Sequence, residues 1–309
     1  MLISTLLLVF SIVLLYFGAE FSLESSEKVG KKIGLSPLMI GMLLIGLGTS
    51  LPELFVGHIA GVQGKSGIAI GSLVGSNIAN MFLILGIGAL LVRMNLSEKM
   101  LRSQLVLHLV LGLILAFVLT RESLTIITAA PLIGLCGFYL FMLMKDFKNS
   151  DDSTEDQNNI IISKVDLLKL FAGFGMLYLG GELLVKSGSD LGVAVGIDEY
   201  IISAIFIAFG TSFPELVTTI LAAVKKKHPE LIVGNIIGSN FFNCAFILGS
   251  LGVYDFKLDI NYQAEILGLV LGALLLVILS FAKLALHRVV GILFLLSYGT
   301  MVAYWLGLF

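Results

Sequence analysis

Ten apolar segments run through the 309-residue chain, and each is close to the roughly 20 residues that a helix needs to cross a bilayer. Hydrophobic residues make up 58% of the sequence and charged residues only 13%, and the mean hydropathy is +1.04. Soluble domains carry about 25% charged residues, so the composition predicts an all-α integral membrane protein with ten transmembrane helices. We place these helices at approximately 3–23, 38–61, 68–92, 103–120, 124–144, 167–189, 200–223, 231–253, 262–281 and 289–307.

The longest polar stretch, residues 145–166, separates the first five predicted helices from the last five. It contains the acidic and amide-rich run NSDDSTEDQNN, which has the composition of a disordered linker. It is too short to hold a folded regulatory domain. The predicted organisation is therefore a five-helix unit at 1–144, the linker, and a second five-helix unit at 167–309.

The positive charges predict the orientation in the membrane. If the N-terminus is outside, 15 of the 19 Lys and Arg residues fall in segments on the cytoplasmic side. The four on the outside are Lys65, Arg121, Lys186 and Lys257. Cytoplasmic loops carry an excess of Lys and Arg, so we expect both termini outside the cell membrane and the linker in the cytoplasm.

The two five-helix units share a sequence repeat. GTSLPEL at 48–54 returns as GTSFPEL at 210–216, and GSN at 75–77 returns as GSN at 238–240. Because each unit has an odd number of helices, the second begins on the opposite side of the membrane. The sequence therefore predicts two inverted repeats related by an axis in the membrane plane, an arrangement that places ion sites near the bilayer midplane.

The repeated motifs place polar chemistry at membrane depth. Glu53 and Glu215 are carboxylates inside apolar segments, where an ionisable residue marks a functional site by default. Pro52 and Pro214 break the helical hydrogen bonding beside them. The carbonyls that they free need a partner, and a bound cation is one such partner.

The oxygen-rich side chains of the two motifs suit calcium or sodium rather than zinc or copper. Ser76 and Asn80 have the i, i+4 spacing of one helix face, and Ser239 and Asn243 have the same spacing. Thr49, Ser50 and Glu53 are also expected to share a face. The candidate metal ligands are Thr49, Ser50, Glu53, Ser76, Asn80, Thr211, Ser212, Glu215, Ser239 and Asn243.

Two carboxylates match the charge of one divalent ion or of two monovalent ions. A site that accepts either occupancy, but not both together, is the basis of an antiporter. Asn77 and Asn240 are expected to face away from the ions and to hydrogen-bond between helices. Glu20 and Glu182 lie near helix ends, and they are interpreted as interfacial anchors in preference to a gating or entry role.

The doubled pattern GTSxPE followed by GSNxxN resembles the alpha-repeats of the calcium/cation antiporter superfamily, and it is most similar to the prokaryotic Na+/Ca2+ exchangers. The alpha-motifs span 46–86 and 208–249. The resemblance implies sodium-driven calcium exchange by alternating access, usually of three sodium ions for one calcium ion. It also implies that helices 3–23 and 167–189 slide across the other helices.

The same resemblance implies which groups hold the ions. Calcium would be held by Glu53 and Glu215 and by the carbonyls of Thr49 and Thr211. Sodium sites would use Ser50, Ser212, Ser76 and Ser239, with the carbonyls of Gly46 and Ala208 and with Asn80 and Asn243. Some relatives carry aspartate where this chain has Asn243, and proton-coupled relatives carry glutamate near Ser76 or Ser239, so both departures favour sodium coupling.

The sequence also bears on other functions. A proton-coupled or magnesium-selective antiporter on the same scaffold stays open, because ligand identity separates calcium from magnesium poorly. A cation channel is less favoured, since channels are usually built by subunit symmetry around a pore. The sequence has no nucleophile with its base and no phosphate loop, so no enzyme is predicted. We expect no cofactor, no nucleic-acid partner and no disulfide, and a chain that functions as a monomer in lipid.

Overall fold

The computed structural model describes residues 2–149, 160–194, 196, 210–258 and 261–308. Within these residues the chain is helical almost throughout. The helices are α1 (Leu2–Lys32), α2 (Pro37–Thr49), α3 (Leu51–Val62), α4 (Ser66–Leu91), α5 (Lys99–Leu119), α6 (Ile126–Asn149), α7 (Lys164–Ala194), α8 (Phe213–Val224), α9 (Pro229–Tyr254), α10 (Gln263–Phe281) and α11 (Arg288–Trp305).

Eight of these helices are long and apolar enough to cross a membrane, and α2 with α3 forms a ninth span that is bent by 40°. They confirm the all-α membrane fold. The remaining predicted span, 200–223, is described only from residue 210 onward, where α8 provides its second half.

Three of the predicted helices, α1, α6 and α7, extend beyond their predicted bounds. Helices α1 and α7 each have 31 residues, so they are longer than the predicted 3–23 and 167–189. A helix gains hydrogen bonds for each residue added, and the polar residues that end an apolar segment do not end the helix. For the same reason α6 and α7 extend into both ends of the predicted linker 145–166.

The bend between α2 and α3 lies at Ser50, whose backbone has φ −82° and ψ 2°. Pro52 follows within the first turn of α3, where its missing amide hydrogen costs little. In the second repeat a 3₁₀ turn over Gly210–Ser212 precedes α8, and Pro214 holds the same place. Both GTSxPE motifs therefore form a break followed by a new helix.

Helices α4 and α9 are the central helices of the bundle and are almost wholly buried. Each contains a π-helical segment, Ala79–Ile84 in α4 and Phe242–Leu248 in α9, and α2 contains a third at Ile40–Ile45. Such wide turns occur frequently at functional sites. All three segments lie within one to two turns of the repeated polar motifs.

Backbone contact holds α2 against α9. A Cβ atom added at Gly46 would lie 2.9 Å from the Ser239 nitrogen and 3.0 Å from the Asn235 oxygen. At Gly238 an added Cβ would overlap the backbone of Met42. Small residues permit this close approach of helices in membranes, and it brings the first repeat's motif against the second repeat's GSN helix.

Helices α1 and α7 pack against each other as an antiparallel pair on the outside of the bundle. An added Cβ at Gly18 would lie 2.8 Å from the Leu177 nitrogen, and one at Gly173 would lie 2.6 Å from the Ser22 nitrogen. Only about a fifth of each helix is buried in the protein. The pair is therefore joined to the remaining helices along one side only.

Short antiparallel ribbons join loops at the two ends of the bundle. Strand β1 (Met94–Asn95) pairs with β4 (Ala285–Leu286), and β2 (Ser123–Leu124) pairs with β3 (Phe256–Lys257). Since β1 precedes α5 and β2 follows it, the ribbons lie about 30 Å apart, the length of a 20-residue helix. Each ribbon links one loop from the first half of the chain with one from the second.

Candidate ion-binding site

Two carboxylates lie at the centre of the bundle. Glu53 and Glu215 are both completely buried, with 0% of each residue exposed. Each lies in the first turn of its helix, α3 or α8, where the positive end of the helix dipole stabilises negative charge. Burial of two ionisable groups in one membrane protein core is costly unless cations or hydrogen bonds compensate it.

Ser76 connects Glu53 to the second repeat. Its hydroxyl donates to Glu53 Oε1 at 2.8 Å and accepts from Ser212 Oγ at 2.8 Å. The Asn243 amide nitrogen donates to the same serine oxygen at 3.2 Å. Predicted ligands from four separate segments, α4, α3, α9 and the 3₁₀ turn, therefore meet at one hydroxyl group.

Thr49 belongs to the opposite half of the site. Its hydroxyl lies 3.3 Å from Ser239 Oγ, and Ser239 donates to the Gly46 carbonyl at 3.2 Å. Both Thr49 and Ser239 lie beside Glu215. The expectation that Thr49 shares one helix face with Glu53 is wrong, because the break at Ser50 places the two residues on differently directed helices.

Several oxygen atoms of the site have no hydrogen-bond partner among the described residues. They are Ser50 Oγ, Glu53 Oε2, Glu215 Oε1, Glu215 Oε2, Asn80 Oδ1 and Asn243 Oδ1. Buried polar atoms in proteins are otherwise almost always paired. A set of buried hard oxygen atoms without hydrogen-bond partners fits Ca2+ or Na+ as the bound substrate.

Most of the predicted ligands are thus close together and buried. Less than 3% of the surface of each residue is exposed to solvent in the following set: Thr49, Ser50, Glu53, Ser76, Asn80, Ser212, Glu215, Ser239 and Asn243. Thr211 is half-buried and lies beside Glu53. Gly46 directs its carbonyl to Ser239, whereas Ala208 lies outside the described residues. Pro52 and Pro214 are buried at the two helix breaks.

Sequence reasoning missed Asn235. This buried residue lies 3.4 Å from the Thr49 hydroxyl through its Oδ1 atom and donates through Nδ2 to Thr218 at 3.2 Å. Its counterpart in the first repeat is Ser72, so a comparison of the repeats does not reveal it. The usable signal was its position four residues before Ser239, on the same face of α9.

Asn77 bridges helices as expected. Its amide nitrogen donates to the Asn240 carbonyl at 3.2 Å and to Cys244 Sγ at 2.6 Å. This contact joins α4 to α9 and confirms the helix-bridging role of Asn77. Cys244 and Cys136 are both buried free thiols.

A cavity of about 90 Å³ leads toward the site at one end of the bundle. Within the described part of the chain it is lined by Pro52, Tyr178, Gly181, Glu182, Val185, Thr211 and Pro214. It reaches both helix-breaking prolines and the threonine beside Glu53. Glu182, for which the sequence predicts an anchoring role, is exposed and lines this cavity.

Comparisons with known proteins agree with this geometry. A family model described as sodium/calcium exchanger protein matches residues 3–145 and 166–307. An uncharacterised membrane protein of Methanocaldococcus jannaschii is 31% identical over 292 residues, which cover 93% of each chain. The sodium/calcium exchanger MaX1 of Methanosarcina acetivorans is 28% identical over 292 residues, 82% of this chain and 83% of the relative. The solved sodium-calcium exchanger NCX_Mj, soaked with Na+ and Sr2+, matches with a TM-score of 0.84, 26% identity and 98% coverage of each chain.

Proposed function

The chain belongs to the sodium/calcium exchanger protein family and is a multi-pass membrane antiporter of Na+ and Ca2+, and we propose that Glu53 and Glu215 hold the two kinds of ion in turn. The observation that carries this proposal is the pair of completely buried carboxylates, three of whose four oxygens have no partner among the described residues. Hard oxygen ligands of this type suit Ca2+ and Na+.

The charges account for exchange rather than joint transport. One Ca2+ neutralises both carboxylates, and two Na+ ions neutralise them equally well. One Ca2+ and two Na+ ions together would leave two uncompensated positive charges in a medium where charge is costly. The two occupancies therefore exclude each other. After the site releases one kind of ion on one side of the membrane, it returns to the other side carrying the other kind.

The neutral oxygens complete the proposed ligand set around the carboxylates. Ser76 contacts Glu53 and is itself bonded to Ser212 and Asn243, while Thr49 and Ser239 lie beside Glu215. The carbonyls of Thr49, Thr211, Gly46 and Ala208, together with Ser50, Asn80 and the Thr211 side chain, belong to the same proposed set. Since each half of the site draws on both repeats, a relative movement of the repeats changes both halves together.

The proposed arrangement in the membrane follows from the charges and the repeat. Residues 1–144 and 167–309 form the inverted units, both termini lie outside, and the linker 145–166 lies in the cytoplasm. The 15 Lys and Arg residues on one side support this orientation. One chain carries both halves of the site, which supports function as a monomer with lipid as its only structural partner and no cofactor.

Equilibrium binding of ⁴⁵Ca²⁺ to the purified protein tests the proposed site. Wild-type protein is expected to bind calcium, and Na+ is expected to displace it where choline at equal ionic strength does not. Glu53→Gln and Glu215→Gln are each expected to lower calcium affinity at least tenfold. The matched control is Glu122→Gln, at an exposed carboxylate on a loop. Calcium binding at wild-type affinity in both site variants would contradict the assignment.

A further inference from the structure

Two glutamates occupy matching positions in α1 and α7. Glu20 and Glu182 are 162 residues apart, the same offset as Glu53 and Glu215. Since Gly18 contacts Leu177 and Gly180 contacts Leu15, the two helices run antiparallel, and Glu20 and Glu182 lie on opposite sides of their crossing. Along the axis of the helix pair, Glu20 and Glu182 are separated by the length of seven helical residues, which is about 10 Å.

The two glutamates have different surroundings. On the Glu182 side, the cavity of about 90 Å³ reaches Val185 and Thr211, and both of these residues are half-buried. On the Glu20 side, the repeat-matched residues are Leu23 and Thr49, each of which has only 1% of its surface exposed. Among the described residues, a cavity therefore reaches the site's Thr211 at the Glu182 end, whereas the matching positions at the Glu20 end are buried.

Lysine side chains from the end of α8 close the Glu20 end. Lys225 forms an ion pair with Glu20, and its Nζ lies 3.1 Å from Glu24 Oε1. Lys227 Nζ lies 2.5 Å from Glu27 Oε2. These ion pairs join α1 to the segment that follows α8. Helix α8 itself begins at the ion site, with Glu215 in its first turn. The hydrogen bond to Glu20 raises the pKa of Lys225, so the ammonium group remains charged.

We propose that Glu20 and Glu182 are entry carboxylates for the transported cation, one at each end of the bundle, and that Lys225 occupies Glu20 while that end is closed. The proposal rests on the antiporter function and its central site. Alternating access requires each end to open in turn, by movement of one group of helices against the other. Opening of the Glu20 end then requires separation of Lys225 from Glu20 and Glu24, after which Glu20 can attract a cation.

At the other end Lys65 matches Lys227, but the position that matches Lys225 does not carry a lysine. The residue that matches Lys225 is Gln63, which follows α3 as Lys225 follows α8. Glutamine cannot form an ion pair with Glu182 when that end closes. The chain therefore favours the state seen here, and the exchange of one residue between the repeats should change the balance of the two states.

Cysteine accessibility measures that balance without transport. Leu23→Cys and Val185→Cys are a repeat-matched pair of reporters, and the buried Cys136 and Cys244 give the background rate in wild-type protein. We expect a water-soluble thiol reagent to modify Val185→Cys faster than Leu23→Cys. Addition of Lys225→Gln should raise the Leu23→Cys rate at least threefold and lower the Val185→Cys rate.

The controls separate removal of the ion pair from removal of a charge. Lys226→Gln removes a neighbouring exposed lysine and should change neither rate. Glu20→Gln should act as Lys225→Gln does, and the reversed pair Glu20→Lys with Lys225→Glu should restore the slow rate at Leu23→Cys. Addition of Gln63→Lys to Lys225→Gln should raise the Leu23→Cys rate further.

The outcomes distinguish this proposal from the function it rests on. Unchanged rates in folded Lys225→Gln and Glu20→Gln proteins would overturn the proposal that Lys225 holds the Glu20 end closed, even if sodium-driven calcium transport is normal. The same result in Lys226→Gln as in Lys225→Gln would overturn it as well, because the effect would then follow net charge. The predicted rate changes in a protein that transports no calcium would support the closing role of Lys225 and reject the assigned ions.

Discussion

The Ser212 hydroxyl donates a 2.8 Å hydrogen bond to the Ser76 hydroxyl, and this contact joins the broken segment of the second repeat to the central helix of the first. Ser76 in turn donates to Glu53. The orientation of one carboxylate thus depends on residues from both repeats. A site shared in this way is sensitive to relative movement of the repeats, which is what an alternating-access transporter requires.

Ser76→Ala should weaken ion binding without unfolding the protein. The substitution removes the hydrogen bond to Glu53 and the acceptor used by Ser212 and Asn243. A hydrogen bond to a charged group contributes about 1.5–3 kcal/mol, so we expect calcium affinity to fall by roughly tenfold or more. Calorimetric or ⁴⁵Ca²⁺ titration measures it. Ser72→Ala, which removes a buried serine on the same helix, should have little effect, and equal losses in both variants would contradict the prediction.

Asn235→Ala should lower calcium affinity by a smaller amount. Asn235 links Thr49 to Thr218 beside Glu215, and its amide makes neutral hydrogen bonds worth about 0.5–1.5 kcal/mol each. The expected loss is a few-fold to about tenfold in the same titration. Wild-type affinity in this variant would indicate that Asn235 only fills space between the helices.

Asn243→Asp should retain exchange and become more sensitive to pH. The substitution adds a third carboxylate to a buried cluster that already holds two, and mutual repulsion favours its protonation. Protons then compete with the cations, so uptake should fall more steeply than in wild-type protein as pH is lowered from 8 to 6. Sodium-driven uptake at several pH values measures this. Superimposable pH profiles of variant and wild type would show that position 243 does not face the ions.

Gly238→Ala should destabilise the protein, whereas Gly134→Ala should not. A Cβ atom at Gly238 overlaps the Met42 backbone across the contact of α2 with α9, but a Cβ at Gly134 meets nothing within 4 Å. Overpacking of this kind costs about 1–3 kcal/mol. Thermal unfolding in detergent, followed by loss of the monodisperse elution peak, should show a lower midpoint for Gly238→Ala alone. Equal midpoints would show that the two helices separate without cost.

The membrane class and the repeat could be predicted from the sequence because both depend on patterns that the bilayer and the chain impose locally. An apolar segment of about 20 residues is a property of the sequence alone, and matched motifs at offsets of 162 and 163 can be counted directly. Glu53 and Glu215 were found because a carboxylate in an apolar segment is conspicuous.

The arrangement within the site could not be predicted in the same way. Thr49 was assigned to the side of Glu53 because ideal helical spacing was assumed across Ser50, where the helix in fact bends. Asn235 was missed because its counterpart is a serine. The pairing of Glu20 with Lys225 joins residues 205 positions apart, and only the packing of α1 beside α8 brings them together.

Sodium-driven calcium uptake tests the central claim most directly. Purified protein in sodium-loaded vesicles would be diluted into sodium-free choline or potassium medium containing ⁴⁵Ca²⁺, with an imposed pH gradient as the comparison. We predict uptake that requires internal sodium, does not follow the pH gradient, and is lost in Glu53→Gln and Glu215→Gln but not in Glu122→Gln. Uptake driven by the pH gradient alone, or uptake at the wild-type rate in both glutamine variants, would contradict this account.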